Sequence, residues 1–135
     1  MQLEIDVNNF LSALQDGALD VCLRYLDRQS AASRPDPLFN CKLAEALLHQ
    51  RRYEEALACA RRGFPEVGSD PALLHICAWV FSNCASYGEA ADAYCQLVEL
   101  SPDWIEGHRH LSGALAASGQ IDEAIAAAMT ADAGA

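Results

Sequence analysis

Residues 37–104 hold two consecutive copies of one 34-residue unit, and this period restricts the fold more than any other feature of the chain. Self-similarity at such a spacing is the signature of a stacked helical array, in which each unit buries its apolar face against the next. An offset of 34 aligns Leu43, Cys77 and Leu111, then Ala44, Ala78 and Ser112, then Leu47, Phe81 and Leu115. The same offset aligns Tyr53, Tyr87 and Ile121, the acidic trio Glu55, Glu89 and Glu123, and the small trio Ala56, Ala90 and Ala124. Separations of three, four and seven residues within each unit put the apolar set on one helical face and require two helices per unit. The turns between paired helices fall near Gln50-Arg51-Arg52, Cys84-Ala85-Ser86 and Ser118-Gly119-Gln120.

These residues resemble the tetratricopeptide repeat. The segments Tyr53-Glu54-Glu55-Ala56-Leu57, Tyr87-Gly88-Glu89-Ala90-Ala91 and Ile121-Asp122-Glu123-Ala124-Ile125 carry the likeness, with Val98-Glu99-Leu100-Ser101-Pro102-Asp103 as the exit from the third unit. The resemblance implies an all-α, right-handed α-solenoid of antiparallel helix pairs. Small residues at Ala44 and Ala56, and at Ala78 and Ala90, would let paired helices approach closely; a large side chain there would overpack the seam at a cost of about 1–3 kcal/mol.

Eight helices are expected, at 3–15, 18–31, 37–50, 53–63, 70–84, 87–100, 103–118 and 121–132. They make a single domain over 1–135, with a degenerate first repeat at 3–36, repeats at 37–70 and 71–104, and a fourth at 105–135 without a closing helix. The first repeat matches by phase at Gly17, Leu19 and Cys22, while Asn9 falls where a leucine stands in the second. Asp36-Pro37 and Asp70-Pro71 each place a capping carboxylate ahead of a proline at the first helical position, where its missing N–H is harmless. Pro65 cannot sit inside a helix, so the fourth helix should stop at Gly63 and the segment Gly63–Ser69 should be extended.

Composition narrows the function. Nine Lys and Arg against 19 Asp and Glu give a net charge of −10, which disfavours nucleic acid and anionic membranes as partners. The longest apolar run is well short of the roughly 18 residues of a membrane span, and acidic residues stand near the N-terminus where a signal peptide would be basic. A cytoplasmic protein is expected. The six cysteines, at 22, 41, 59, 77, 84 and 95, lack the two-residue spacing of a zinc knuckle and read as reduced packing residues, with Cys84 the most reactive because it lies nearest a loop. His108 and His110 are two apart on a helix and cannot share a metal. No nucleotide-binding loop, metalloprotease motif or nucleophile turn is present, so neither an enzyme, a metal nor a cofactor is expected.

In the resembled family the first helix of each pair lines a concave groove. Carried onto this chain, that places Glu45, His49, His75, Trp79, Asn83 and Arg109 in a partner-binding groove for a peptide or protein. The lysine, arginine and asparagine clamp that some members use for chaperone tails is not matched, since Arg109 is the one fixed cation among these positions. On the last helix Ile121, Ile125 and Met129 would form an apolar end flank. The function expected is a non-catalytic protein-interaction scaffold. The alternatives are a self-association element working through the end flank, or an N-terminal recruiting domain of a larger bacterial transferase-type protein.

Overall fold

A computed structural model describes residues 10–32 and 36–134, and every regular element among them is helical. They form α1 (10–15), α2 (Leu19–Ala32), α3 (Pro37–His49), α4 (Tyr53–Gly63), α5 (Pro71–Asn83), α6 (Tyr87–Leu100), α7 (Ile105–Ala117) and α8 (Ile121–Gly134). The expected start of the first helix at residue 3, and Asn9, lie outside the described residues. The chain divides into two compact units, 1–67 and 68–135.

The turns repeat as strictly as the helices do. Positive φ occurs at Gly17, Arg51, Ala85 and Gly119, each 34 residues from the next. In each turn the chain reverses through one left-handed residue, which glycine adopts freely and arginine or alanine only under strain.

In the first unit, α3 and α4 form an antiparallel pair with Leu43, Ala44 and Leu47 buried against Ala56, Cys59 and Ala60. Asp36 caps α3, its carboxylate accepting from the Phe39 N–H at 2.9 Å, with Pro37 following as expected. Phe10 of α1, Tyr25 of α2 and Phe39 of α3 meet as an aromatic cluster, with Phe10 and Phe39 stacked at 4.5 Å between ring centres. Arg52 at the head of α4 pairs with Glu55 and reaches across to Asp20 of α2 at 2.6 Å. Arg62 of α4 pairs with Asp27 of α2 at 3.3 Å. α4 ends at Gly63, but the segment after it is not extended: Phe64–Glu66 form a 3-10 turn closed by the Val67 N–H donating to the Phe64 carbonyl. Pro65 fits because its fixed φ suits that turn and its absent N–H falls among donors that have no helical partner there.

In the second unit, α5 to α8 pack in sequence, each against the next. Asp70 caps α5 by accepting from the Ala72 and Leu73 N–H groups. Ala78 and Ala90, at the small positions, are fully buried. Ser112 takes the corresponding place on α7, and its hydroxyl donates to the Ala124 carbonyl of α8 at 2.8 Å. The buried residues of α6 include Tyr94, Leu97 and Val98, whereas those of α8 are Ala124, Ala127 and Ala131. Methyl groups remove far less apolar area from water, so α8 is held by a thinner hydrophobic seam.

Candidate functional site

His75, Trp79 and Asn83 stand four residues apart along α5 and are all solvent-exposed, as helical geometry requires of that spacing. Asn83 is turned back on its own helix, its amide donating to the Trp79 carbonyl at 2.8 Å. Trp79 keeps 37% of its surface in water. His75 packs against Trp104, with ring centres 4.8 Å apart.

Trp104 then leads into α7. Its ring lies 6.1 Å from that of His110, which is stacked on Tyr94 of α6 at 5.2 Å and 20°. His75, Trp104, His110 and Tyr94 thus make a row of four rings across α5, α7 and α6. Beside it lies a recess of about 370 Å³, whose lining includes Ser82, Tyr87, Arg109, His110 and Gly113. The Arg109 guanidinium is held toward Glu106 at 3.5 Å, exposed on both sides of the pair.

Of the residues expected in a groove, the recess contains Arg109, while His75 joins the ring row and Trp79 and Asn83 occupy the same helix. Glu45 and His49 lie one turn apart on α3, in the first unit. Trp104 and His110 were not anticipated. The 34-residue phase did hold a signal for Trp104: it occupies the position of the capping residues Asp36 and Asp70. A tryptophan where the repeat calls for a capping carboxylate has a reason other than capping, and α7 has no side-chain cap.

On α8, Ile121, Ile125 and Met129 are 54%, 53% and 65% exposed, and their four-residue spacing makes one apolar stripe. Charge is divided unevenly. The segment 68–135 carries nine carboxylates and one arginine, whereas 1–67 carries ten carboxylates and eight lysines and arginines.

Cys22, Cys41, Cys59 and Cys77 are buried, and burial pushes the Cys59 thiol up to about 11. Cys84 is half-buried and Cys95 is exposed, so the most accessible thiol lies on the α6 surface and not beside the loop. No helix among the described residues is long and apolar enough to cross a membrane.

The helical architecture is shared with solved structures of MamA. A MamA AMB-1 structure superposes with a TM-score of 0.70 at 16% identity, over 96% of this chain and 71% of that one. MamA from Desulfovibrio magneticus RS-1 gives 0.64 at 19% identity, over 96% and 73%. A MamA point mutant gives 0.64 at 18% identity, over 100% and 98%. This likeness establishes the fold: all-α, built from antiparallel helix pairs of the tetratricopeptide type. No family model matches the sequence, and no curated protein matches it.

Proposed function

We propose that the chain is a non-catalytic protein-interaction module whose partner lies along the α5–α7 face. The row His75–Trp104–His110–Tyr94, running beside a recess with Arg109 at its edge, carries this reading. Buried Tyr94 backs His110, and rings held by one another present apolar surface at little entropic cost, while Trp and Arg supply a disproportionate share of binding energy at interfaces. Trp79 extends the platform along α5, and Arg109 and His110 fix the partner's register by hydrogen bonds. Glu45 and His49 are the corresponding positions of α3. Binding is by presentation of a preformed surface, and no bond is made or broken.

The test is affinity capture from native extract with the wild type and with Trp79→Ala/Arg109→Ala, after both are shown to have equal helical content and equal Tm. Proteins held by the wild type and lost from the variant identify the partner, with an expected weakening of about thirtyfold or more for a central tryptophan. Equal capture by the two proteins would refute the assignment.

A second reading is favoured by the exposed stripe Ile121, Ile125 and Met129. Three large apolar side chains aligned on the outer face of α8 suit self-association through that helix. The two readings use different surfaces and are separated by mutation.

A further inference from the structure

α6 and α8 flank α7, and between them runs an open groove of about 440 Å³ that belongs to neither surface above. Its floor is apolar, made by Val98 of α6 and by Leu111 and Leu115 of α7. It is open because the facing walls are small: Ala91 and Cys95 on one side, Ala126 and Ala127 on the other. Leucines at those places would have closed the gap over α7.

The walls are also of one sign. Asp92 lines the groove from α6 and Glu123 from α8, one carboxylate on each side. Glu99 stands two turns along α6 from Asp92, outside the lining, and adds to the negative charge of that helix. Between them α6 and α8 carry six carboxylates and not one lysine or arginine. His108, the one basic side chain in the lining, is engaged with the Pro102 carbonyl at 2.8 Å.

We propose that this groove seats a cationic amphipathic helix of a partner protein. Three features select that occupant. The walls are helices, so no free strand edge is offered to an extended peptide, and a helix can lay an apolar stripe between two others by ridge-and-groove packing. The small wall residues leave holes of the size that leucine or methionine knobs fill over Val98, Leu111 and Leu115. The carboxylates on both walls complement lysines or arginines flanking that stripe and repel acidic helices of the same shape. The groove does not depend on the α5–α7 face.

The probes are two 14-residue synthetic peptides with the same helical leucine stripe, one carrying lysine and the other glutamate at every polar position. Fluorescence anisotropy with the full chain should show saturable one-to-one binding of the lysine peptide and none of the glutamate peptide. Asp92→Asn/Glu123→Gln should weaken the lysine peptide by about fivefold and flatten its salt dependence. The charge-matched control Asp103→Asn/Glu106→Gln should leave it unchanged. Ala126→Trp, at an exposed position where the fold tolerates bulk, should fill the slot and abolish binding.

Equal loss in the two charge pairs would reduce the effect to bulk attraction and overturn the proposal. Loss in Trp79→Ala/Arg109→Ala would move the peptide to the α5–α7 face and overturn it as well, leaving that other reading intact. A concentration-dependent doubling of mass that Ala126→Trp prevents would assign the groove to a second copy of the chain instead.

Discussion

The Trp104 indole occupies the space into which a side chain at position 107 would project, and Gly107 is what lets it. A β-carbon there would fall within 2.7 Å of two ring atoms and closer still to a third. The repeat phase explains the exchange. Gly107 aligns with Leu73 and Phe39, and Trp104 with the capping Asp70 and Asp36. The large side chain has moved from one position of the helix start to another and packs back over its own first turn.

Gly107→Ala should therefore destabilise the second unit although alanine favours helix more than glycine does. The indole must leave its place, at a cost of about 1–3 kcal/mol, which lowers Tm by about 5–10 °C. In a Trp79→Phe background Trp104 is the one emitter, and its fluorescence should shift to the red as the ring loses its contacts. An unchanged Tm and spectrum would mean that the ring does not rest on Gly107.

The left-handed residues that repeat every 34 positions supply a matched pair of tests. Ala85 has φ of +60° and Gly119 of +89°, and a β-carbon at Gly119 would meet nothing within 4 Å. Backbone strain is the whole difference between them. Ala85→Gly should gain about 0.5–1 kcal/mol, the relief of left-handed strain less the added freedom of the unfolded chain. Gly119→Ala should lose about as much. Thermal melts of both variants decide it, and opposite shifts are the expected result.

Much of the fold was legible because the 34-residue period shows in side chains that face the core. Leu43, Cys77 and Leu111 are all buried, and the helix bounds follow the two aspartate–proline starts closely. What escaped depended on volumes in helices far apart in sequence. His75 and Trp104 meet across 29 residues. The α6–α8 groove exists because alanines stand on both sides of it, which no local pattern announces. Asn83 and Arg109 were placed by phase, but their engagement with the Trp79 carbonyl and with Glu106 follows from rotamers, about which periodicity is silent. The 3-10 turn at Phe64–Glu66 was hidden because proline rules out a helix interior without choosing among the alternatives.

Thiol chemistry follows burial and charge. Partial burial raises the Cys95 thiol above the ordinary range, and the carboxylates of Glu99 and Asp92 raise it further. The thiolate is the reactive form, so Cys95 should alkylate slowly at pH 8 despite its exposure and accelerate as pH rises. Asp92→Asn removes one of the opposing charges and should speed alkylation at pH 8. Iodoacetamide labelling read by peptide mass spectrometry should find Cys95 modified first and Cys84 second. Cys22, Cys41, Cys59 and Cys77 should react on unfolding, and labelling of any of these before Cys95 would contradict the buried arrangement.

The outer face of α8 makes the last prediction. If Ile121, Ile125 and Met129 meet a second copy, the mass in solution should rise with concentration, and Ile125→Asp should return it to that of one chain by placing a carboxylate amid the apolar contact. Because Ile125 is already half in water, the substitution should leave helical content and Tm of the monomer nearly unchanged. The groove ligand on α5–α7 should bind the variant as well as it binds the wild type. Sedimentation equilibrium over a hundredfold range of concentration gives the answer. A wild type that stays monomeric throughout removes self-association from consideration and leaves the stripe as surface. A dimer that survives Ile125→Asp places the contact elsewhere, and Ala126→Trp then tests whether the α6–α8 groove supplies it.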